Sequence, residues 1–364
     1  MRKIRVLVVD DSVVIRRLLT DALGQDPSIE VIGTAPNGKI ALAKLPQLSP
    51  DLITLDIEMP EMDGLATLAP LRQQYPKLPV IMFSTLTERG ACATLDALSL
   101  GATDYVTKPA NVGSVTAAMQ TVKDQLLPKI KALCPFGADF GPAPAAARAV
   151  RPTSAVVAAR PCRRDVVVIG SSTGGPQALT TVLAKLPVGF PVPILIVQHM
   201  PPVFTKQLAA RLDQNCALEV AEASGGESLR PGLVLIAPGD HHLELRRSGV
   251  DVITVLHQGP AENSCRPAVD VLFRSAAEVY GAGCLAAVLT GMGQDGRLGA
   301  ERIVQAGGAV VAQDEKTSVV WGMPRAVAEA GLAGRVLPLE SIAQELQRAA
   351  TYGRTSAAFA GSAP

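Results

Sequence analysis

The sequence has almost no excess of charge of either sign: 34 Lys and Arg stand against 33 Asp and Glu, a formal charge of +1 over 364 residues. No long-range field is available to hold a polyanion, which argues against nucleic acid or a membrane surface as the main partner. Cysteine is scarce and scattered. Cys92, Cys134, Cys162, Cys216, Cys265 and Cys284 form no CxxC pair, and no cluster of histidines is present to complete a zinc site. They read as reduced, structural thiols of a cytosolic protein. Long apolar runs are missing too: the stretch at 191–197 is too short to span lipid, and MRKIRVLVVDDS enters strand-like sequence with no signal-peptide core and cleavage site. The chain is therefore expected to be soluble, cytoplasmic and monomeric. Aromatics are only 3%, yet hydrophobic residues reach 48%, enough in a chain of this length for two domains with their own cores.

From Ile4 onward, short β-branched runs alternate with longer amphipathic ones: IRVLVVD, SVVIRRLLTDALGQ, EVIGTA, GKIALAKLPQL, DLITLDIEM, PVIMFST, DYVTKP. That rhythm predicts a doubly wound parallel α/β sheet. It stops near Lys123. Residues 125–163 hold six prolines and ten alanines, with six Lys and Arg against the single acid Asp139, and read as a basic linker whose first turns can extend the preceding helix. A second α/β rhythm of mainly parallel type opens at Asp165 with DVVVIG and continues through PILIVQH, LVLIAPG, DVITVLH, CLAAVLTG and GAVVAQD. The expected organisation is a first domain at 1–124, a linker at 125–163, a second domain at 164–349 and a frayed tail at 350–364.

In the first domain, Asp10 and Asp11 follow the first predicted strand, Asp56 the third, and Ser84 and Lys108 the fourth and fifth. Open parallel sheets bind ligands at these carboxyl ends. Gathered carboxylates repel unless a hard divalent cation sits among them, and Mg2+ is the natural guest. Asp56 can then act as a nucleophile toward a phosphoryl donor, with Lys108 and the Ser84 hydroxyl binding the added oxygens. Singly these residues have plainer readings, such as Asp11 and Ser12 capping a helix; one group per strand end, in order, favours the pocket.

The motifs VLVVDDS, LITLDIEMPEMDG, MFST and DYVTKP make residues 3 to about 124 resemble the receiver domain of two-component response regulators, a flavodoxin-like fold. The resemblance implies Asp56 as phosphoacceptor and Asp10, Asp11, Asp56 and the Glu58 backbone carbonyl as holders of Mg2+. It also implies Ser84 and Lys108 as phosphoryl-sensing residues, Tyr105 as a rotamer switch, and a histidine kinase as phosphodonor.

In the second domain the turn IGSSTGGPQAL places Ser171 and Ser172 between a buried strand and a helix opening near Pro176, without the Lys of a Walker loop. Its glycines permit a sharp turn with exposed backbone N–H groups, the geometry that a serine nucleophile and an oxyanion require. The chain has four histidines. His199 ends PILIVQ, a strand expected to neighbour DVVVIG, and is the candidate base; Asp295 in TGMGQDG, after CLAAVL, is the candidate orienting acid. Read alone, His199 is equally a core histidine and Asp295 a helix cap. His241 and His242 are expected on opposite faces of a strand, as structural or rim residues. A rival pattern is GxGxxG at Gly291, Gly293 and Gly296 with Asp314 beyond it, as in a dinucleotide-binding enzyme, though it leaves Ser172 and His199 without a task. A non-catalytic output domain is the other rival.

IGSSTGGPQAL, VQHMPPVFTKQLAARL, LIAPGDHHLEL, RPAVDVLFRSAAEVYG, VLTGMGQDG and QDEKTSVVWGMPRAV together resemble the chemotaxis response regulators of the CheB type, protein-glutamate methylesterases, over residues 3 to about 349. The implied fold is a receiver followed by a Rossmann-like α/β catalytic domain. The implied activity is hydrolysis of glutamate γ-methyl esters, and deamidation of selected glutamines, on chemoreceptors, through Ser172, His199 and Asp295. The Met292 backbone N–H is an implied oxyanion donor, with Thr173 beside the nucleophile, and no cofactor is implied in this domain. Cys265 departs from the family, which often has His before RPAVD. The unphosphorylated receiver is expected to cover the esterase mouth.

Overall fold

The computed structural model describes residues 2–109, 115–134 and 162–352. They form two compact units whose division falls in the stretch between the last two of these ranges.

The first unit runs β1 (Ile4–Val9), α1 (Val13–Gly24), β2 (Ile29–Ala35), α2 (Gly38–Leu48), β3 (Leu52–Asp56), α3 (Gly64–Gln74), β4 (Val80–Ser84), α4 (Glu88–Ser99), β5 (Asp104–Thr107) and α5 (Val115–Leu133). Its five strands pair in parallel in the order β2-β1-β3-β4-β5. Val6, Val8, Leu52, Ile81 and Phe83 lie in the core that α1 and α5 cover. Strand order reverses between β1 and β3, so the ends of these two strands open the crevice. The helix α5 overruns the linker boundary expected at 124 and continues to Leu133 despite Pro128. Leu126, Ile130 and Cys134 are buried in the core, and this packing outweighs the helix-breaking cost of the proline.

The second unit runs β6 (Val166–Ser171), α6 (Gly175–Leu183), β7 (Ile194–Gln198), α7 (Phe204–Asn215), β8 (Glu219–Glu222), β9 (Leu233–Ile236), β10 (His242–Ser248), β11 (Asp251–His257), α8 (Val269–Tyr280), β12 (Cys284–Val288), α9 (Arg297–Gln305), β13 (Ala309–Gln313), α10 (Met323–Glu329), β14 (Arg335–Leu337) and α11 (Leu339–Thr351). Seven strands make a parallel sheet in the order β14-β13-β12-β6-β7-β9-β8. The segment DVITVLH is not part of it: β11 pairs with β10 in a separate antiparallel hairpin. The strands β6, β7 and β12 are buried throughout, which their uninterrupted Val, Ile, Leu and Ala runs require. Here the order reverses between β6 and β12, placing Ser172 and Thr290 side by side. Ala350, expected in the frayed tail, is instead buried in α11. Among the described residues no helix is long and apolar enough to cross a membrane.

Candidate functional site

In the first unit, Asp10, Asp11 and Asp56 converge, with one carboxylate oxygen from each within 4.8 Å of the others. Asp10 and Asp56 are buried, whereas Asp11 is exposed. The Lys108 ammonium lies 2.7 Å from Asp56 Oδ2 and 3.1 Å from Asp10 Oδ2. These are ion pairs off the hydrogen-bonding direction, and neither oxygen accepts a well-aligned bond. Burial, together with the neighbouring Asp10 charge and against the pull of Lys108, pushes the Asp56 carboxyl up to about 6. Burial likewise raises Asp10. Three gathered carboxylates with under-satisfied buried oxygens are a donor set that fits a hard divalent cation. Beside them lies a cavity of about 190 Å³ lined by Asp11, Asp56, Glu58, Ser84 and Lys108 among others. Ser84 Oγ donates to Gly90 O at 3.1 Å. Ser12, not Asp11, caps α1, which leaves Asp11 open to the pocket. Tyr105 is buried; the Lys129 ammonium of α5 lies 5.3 Å from its ring centroid and donates to its backbone carbonyl at 2.9 Å.

In the second unit the turn after β6 carries Ser172, half-buried, with its N–H on Thr290 O at 3.0 Å. The serines are not helix caps, because the N-cap of α6 is Gly174, at φ 76°, with no side-chain cap bond. Ser171 pairs in register with Gln198 across β6 and β7, and His199 N donates to Ser171 O at 3.2 Å, so residues 172 and 199 leave the sheet edge together. Gln198 ties the two strand ends: its Nε2 donates to Ser172 O at 3.0 Å. Gly291 comes from the neighbouring strand end. A Cβ there would lie 2.8 Å from Ser172 Cβ and 2.5 Å from Met323 Sδ, so only glycine lets the two turns pack. The Gly291 amide is bound to Val320 O, while the adjoining Met292 amide has no hydrogen-bond partner among the described residues. Thr173 is buried, and its carbonyl accepts from Thr290 Oγ1.

His199 Nε2 and Asp295 Oδ2 are 2.8 Å apart. Asp295 is 2% exposed and does not cap its own helix α9; it accepts from Val269 N at 2.7 Å and Asp270 N at 3.0 Å, on the positive end of α8. Burial acts against its charge, but the bond from His199 and these N–H groups hold Asp295 below the usual carboxylate range. Burial also opposes charge on His199, yet the bonds to Asp295 and Cys265 raise the imidazole overall. With Nε2 donating to the carboxylate, Nδ1 is the nitrogen able to take a proton. It faces Cys265 Sγ at 3.6 Å. No hydrogen bond joins Ser172 Oγ to the imidazole among the described residues; Nδ1 must exchange the thiol for the hydroxyl before it can act as a base. Of the cysteines read as purely structural, Cys265 is the exception.

A scan of family models matches the response regulator receiver domain at residues 6–120 and CheB methylesterase at residues 167–346. A protein-glutamate methylesterase/protein-glutamine glutaminase of Nocardioides sp. is 56% identical over 99% of this chain and 99% of its own length. The chain belongs to the CheB methylesterase family. A relative of the same name from Trichodesmium erythraeum is 52% identical, covering 96% of this chain and 99% of its own. The Thermotoga maritima CheB methylesterase catalytic domain is 48% identical, matches 51% of this chain and 99% of that chain, and superposes with a TM-score of 0.50.

CheB family membership corrects the dinucleotide reading, and the local geometry agrees with that correction. Gly291 is needed for contact with Ser172, and the carboxylate of Asp314 is taken up by Thr317 N at 3.0 Å and Thr317 Oγ1 at 2.6 Å within its own turn. His242, buried, spans Pro260 O and Ala268 N and so braces the entry to α8; His241, half-buried, lies just before β10 rather than on a strand face opposite it. Sequence reasoning missed Gln198, Asn263 and Asp270. Asn263 Nδ2 lies 2.9 Å from both Asp270 Oδ2 and Asp295 Oδ1. The one available signal was the polar run ENSC immediately before RPAVD.

Proposed function

We propose that the protein is a phosphorylation-regulated hydrolase that removes γ-methyl groups from glutamates, and deamidates selected glutamines, on chemoreceptors in sensory adaptation. The observation that carries this reading is the convergence of Ser172, His199 and Asp295 at the strand ends beside the reversal of order in the second sheet. Ser172 is the nucleophile. Its Oγ gives its proton to His199 Nδ1 as it attacks the ester carbonyl; His199 returns the proton to the departing methoxide, and water then frees the carboxylate from the acyl-enzyme. The Met292 amide, free to donate, would stabilise the charge that builds on the carbonyl oxygen, with Thr173 beside the nucleophile. An amide carbonyl fits the same chemistry, with ammonia leaving in place of methanol. This half of the reaction calls on no cofactor.

In the receiver, Asp56 takes a phosphoryl group from a histidine kinase. Asp10, Asp11, Asp56 and the Glu58 backbone carbonyl would hold Mg2+, which supplies positive charge to the transferring phosphoryl group. Lys108 and Ser84 bind the added oxygens, and Tyr105 repacks in response. A tenfold change in activity on phosphorylation requires about 1.4 kcal/mol of differential affinity between two states. The protein acts in the cytoplasm, where receptor side chains and kinase meet it.

The test is methanol release from methylated receptor fragments, with and without acetyl phosphate. Wild type should release methanol faster with the phosphodonor, D56N should lose that response, and S172A should release none while keeping its melting temperature. Undiminished release by S172A would refute the nucleophile, and equal release by wild type and D56N under phosphodonor would refute the regulation. A protein that only binds a partner through its second unit would release no methanol in any form.

A further inference from the structure

Residues 262–265 form a two-residue reverse turn, with Glu262 N donating to Cys265 O at 3.1 Å and Cys265 N to Glu262 O at 2.8 Å. Asn263 and Ser264 sit at φ 52° and 61°, the left-handed region that Asn tolerates best among residues with a side chain. Although the turn is exposed, its two arms reach inward to opposite ends of the same assembly. Cys265 meets His199 Nδ1, and Asn263 meets the far oxygen of Asp295.

That far oxygen, Oδ1, accepts from Gly296 N at 2.9 Å, Asp270 N at 3.0 Å and Asn263 Nδ2 at 2.9 Å. Only the third is a side chain. It alone also reaches a second carboxylate, Asp270 Oδ2, at 2.9 Å. Asp270 is 1% exposed, and its other oxygen accepts from Gly299 N at 2.6 Å. Two buried carboxyls this close repel when both are charged, and share a proton unless something fixes which one keeps it.

Building on the esterase reading above, we propose that Asn263 is a positioning residue: its amide bridges Asp270 and Asp295, holds the Asp295 carboxylate in place against His199 and damps the pull of its charge on the His199 proton. Burial and the nearby Asp295 charge raise Asp270, while, against its own burial, the bond from His199 and the N–H groups of 269 and 270 lower Asp295, so the negative charge rests on Asp295. Other titratable and charged groups around the pair are Cys265 and Glu262 on the turn, Arg274 on α8, which pairs with Glu262 at 2.6 Å, and His242 on β10. Without the amide, Asp295 becomes more basic and draws harder on the His199 proton, so His199 gives that proton up only at higher pH.

Asn263→Gly keeps the left-handed turn and removes the amide; Asn263→Asp keeps the turn and adds a third carboxyl. In methanol release by the full-length protein, the acid limb of kcat/KM against pH should move upward by about half a unit or more in Asn263→Gly and further in Asn263→Asp. At pH 7, kcat should fall about threefold or more with KM changed less than twofold. The limb does not depend on how much of the variant is folded. A limb unmoved in both variants, or a raised KM with kcat intact, overturns the proposal. A second readout does not need turnover: the low-field proton resonance of His199 Nε2–H should titrate at higher pH in Asn263→Gly than in wild type. If wild type releases no methanol, the esterase reading falls, whereas an unshifted resonance in an active enzyme removes only the role of Asn263.

Discussion

Asp295 shows how one buried side chain can be committed to a single partner. Five donors converge on its two oxygens, three of them the backbone N–H groups of 269, 270 and 296 and the others the Asn263 amide and the imidazole, so its charge is satisfied only in one orientation. Replacing Asp295 with Asn removes the carboxylate that fixes the tautomer, and methanol release should drop by about 10³ to 10⁴. Gly291 works by size. In G291A the new methyl would press on Ser172 Cβ, so release should fall at least about tenfold while circular dichroism remains native; unchanged kinetics would show that the neighbouring turn yields freely. Such positions are individually ambiguous in sequence. Ser172 resembles a cap until Gly174 is seen to occupy the cap, and Cys265 resembles any core thiol until it is found against His199.

At the scale of elements, helix α5 takes up the extension that the first turns after residue 124 allowed and runs past the boundary drawn there. Pro128 and the Pro- and Ala-rich composition that follows suggest a linker, but Leu126, Ile130 and Cys134 continue the stripe that faces α1 and the sheet. Ile130→Ala should therefore destabilise the first unit by about 2–5 kcal/mol, measured by urea unfolding; a loss under 0.5 kcal/mol, the size expected at a surface site, would mean the extension adds nothing to the core. The strand runs that were legible were those buried on both faces, such as DVVVIG and CLAAVL, where continuous apolar sequence leaves few alternatives. The segments β8 and β14 escaped notice because they are edge strands, short and partly polar.

For the whole molecule, both units use the same device, a parallel sheet whose strand order reverses once, with Asp10 and Asp56 in the first unit and Ser172 and Asp295 in the second following the two strands that flank the reversal, and His199 following the next strand, β7. In the first unit that device carries an energetic strain that can be titrated. Asp56 has its carboxyl raised to about 6 in the folded protein, against an ordinary value of 3.8, so the fold binds this proton more tightly than the unfolded chain does. Its contribution to stability is fully present below about pH 4 and is lost as pH rises through about 6. Hence the melting temperature of the receiver unit should fall over that interval in wild type but not in D56N. Added Mg2+ should restore it at pH 7. A melting profile identical in wild type and D56N would rule out the repulsion. By itself the sequence determined the two α/β units, the strand ends that bear Asp10, Asp56, Ser172, His199 and Asp295, and the absence of a strong field, because burial patterns and turn chemistry act over a few neighbouring residues. What only the tertiary structure decided was which side chains meet between those ends: the thiol on Nδ1, the amide shared by two carboxylates, the helix end under Asp295. Those contacts join residues tens of positions apart, whose approach is set by strand order and packing rather than by any local pattern.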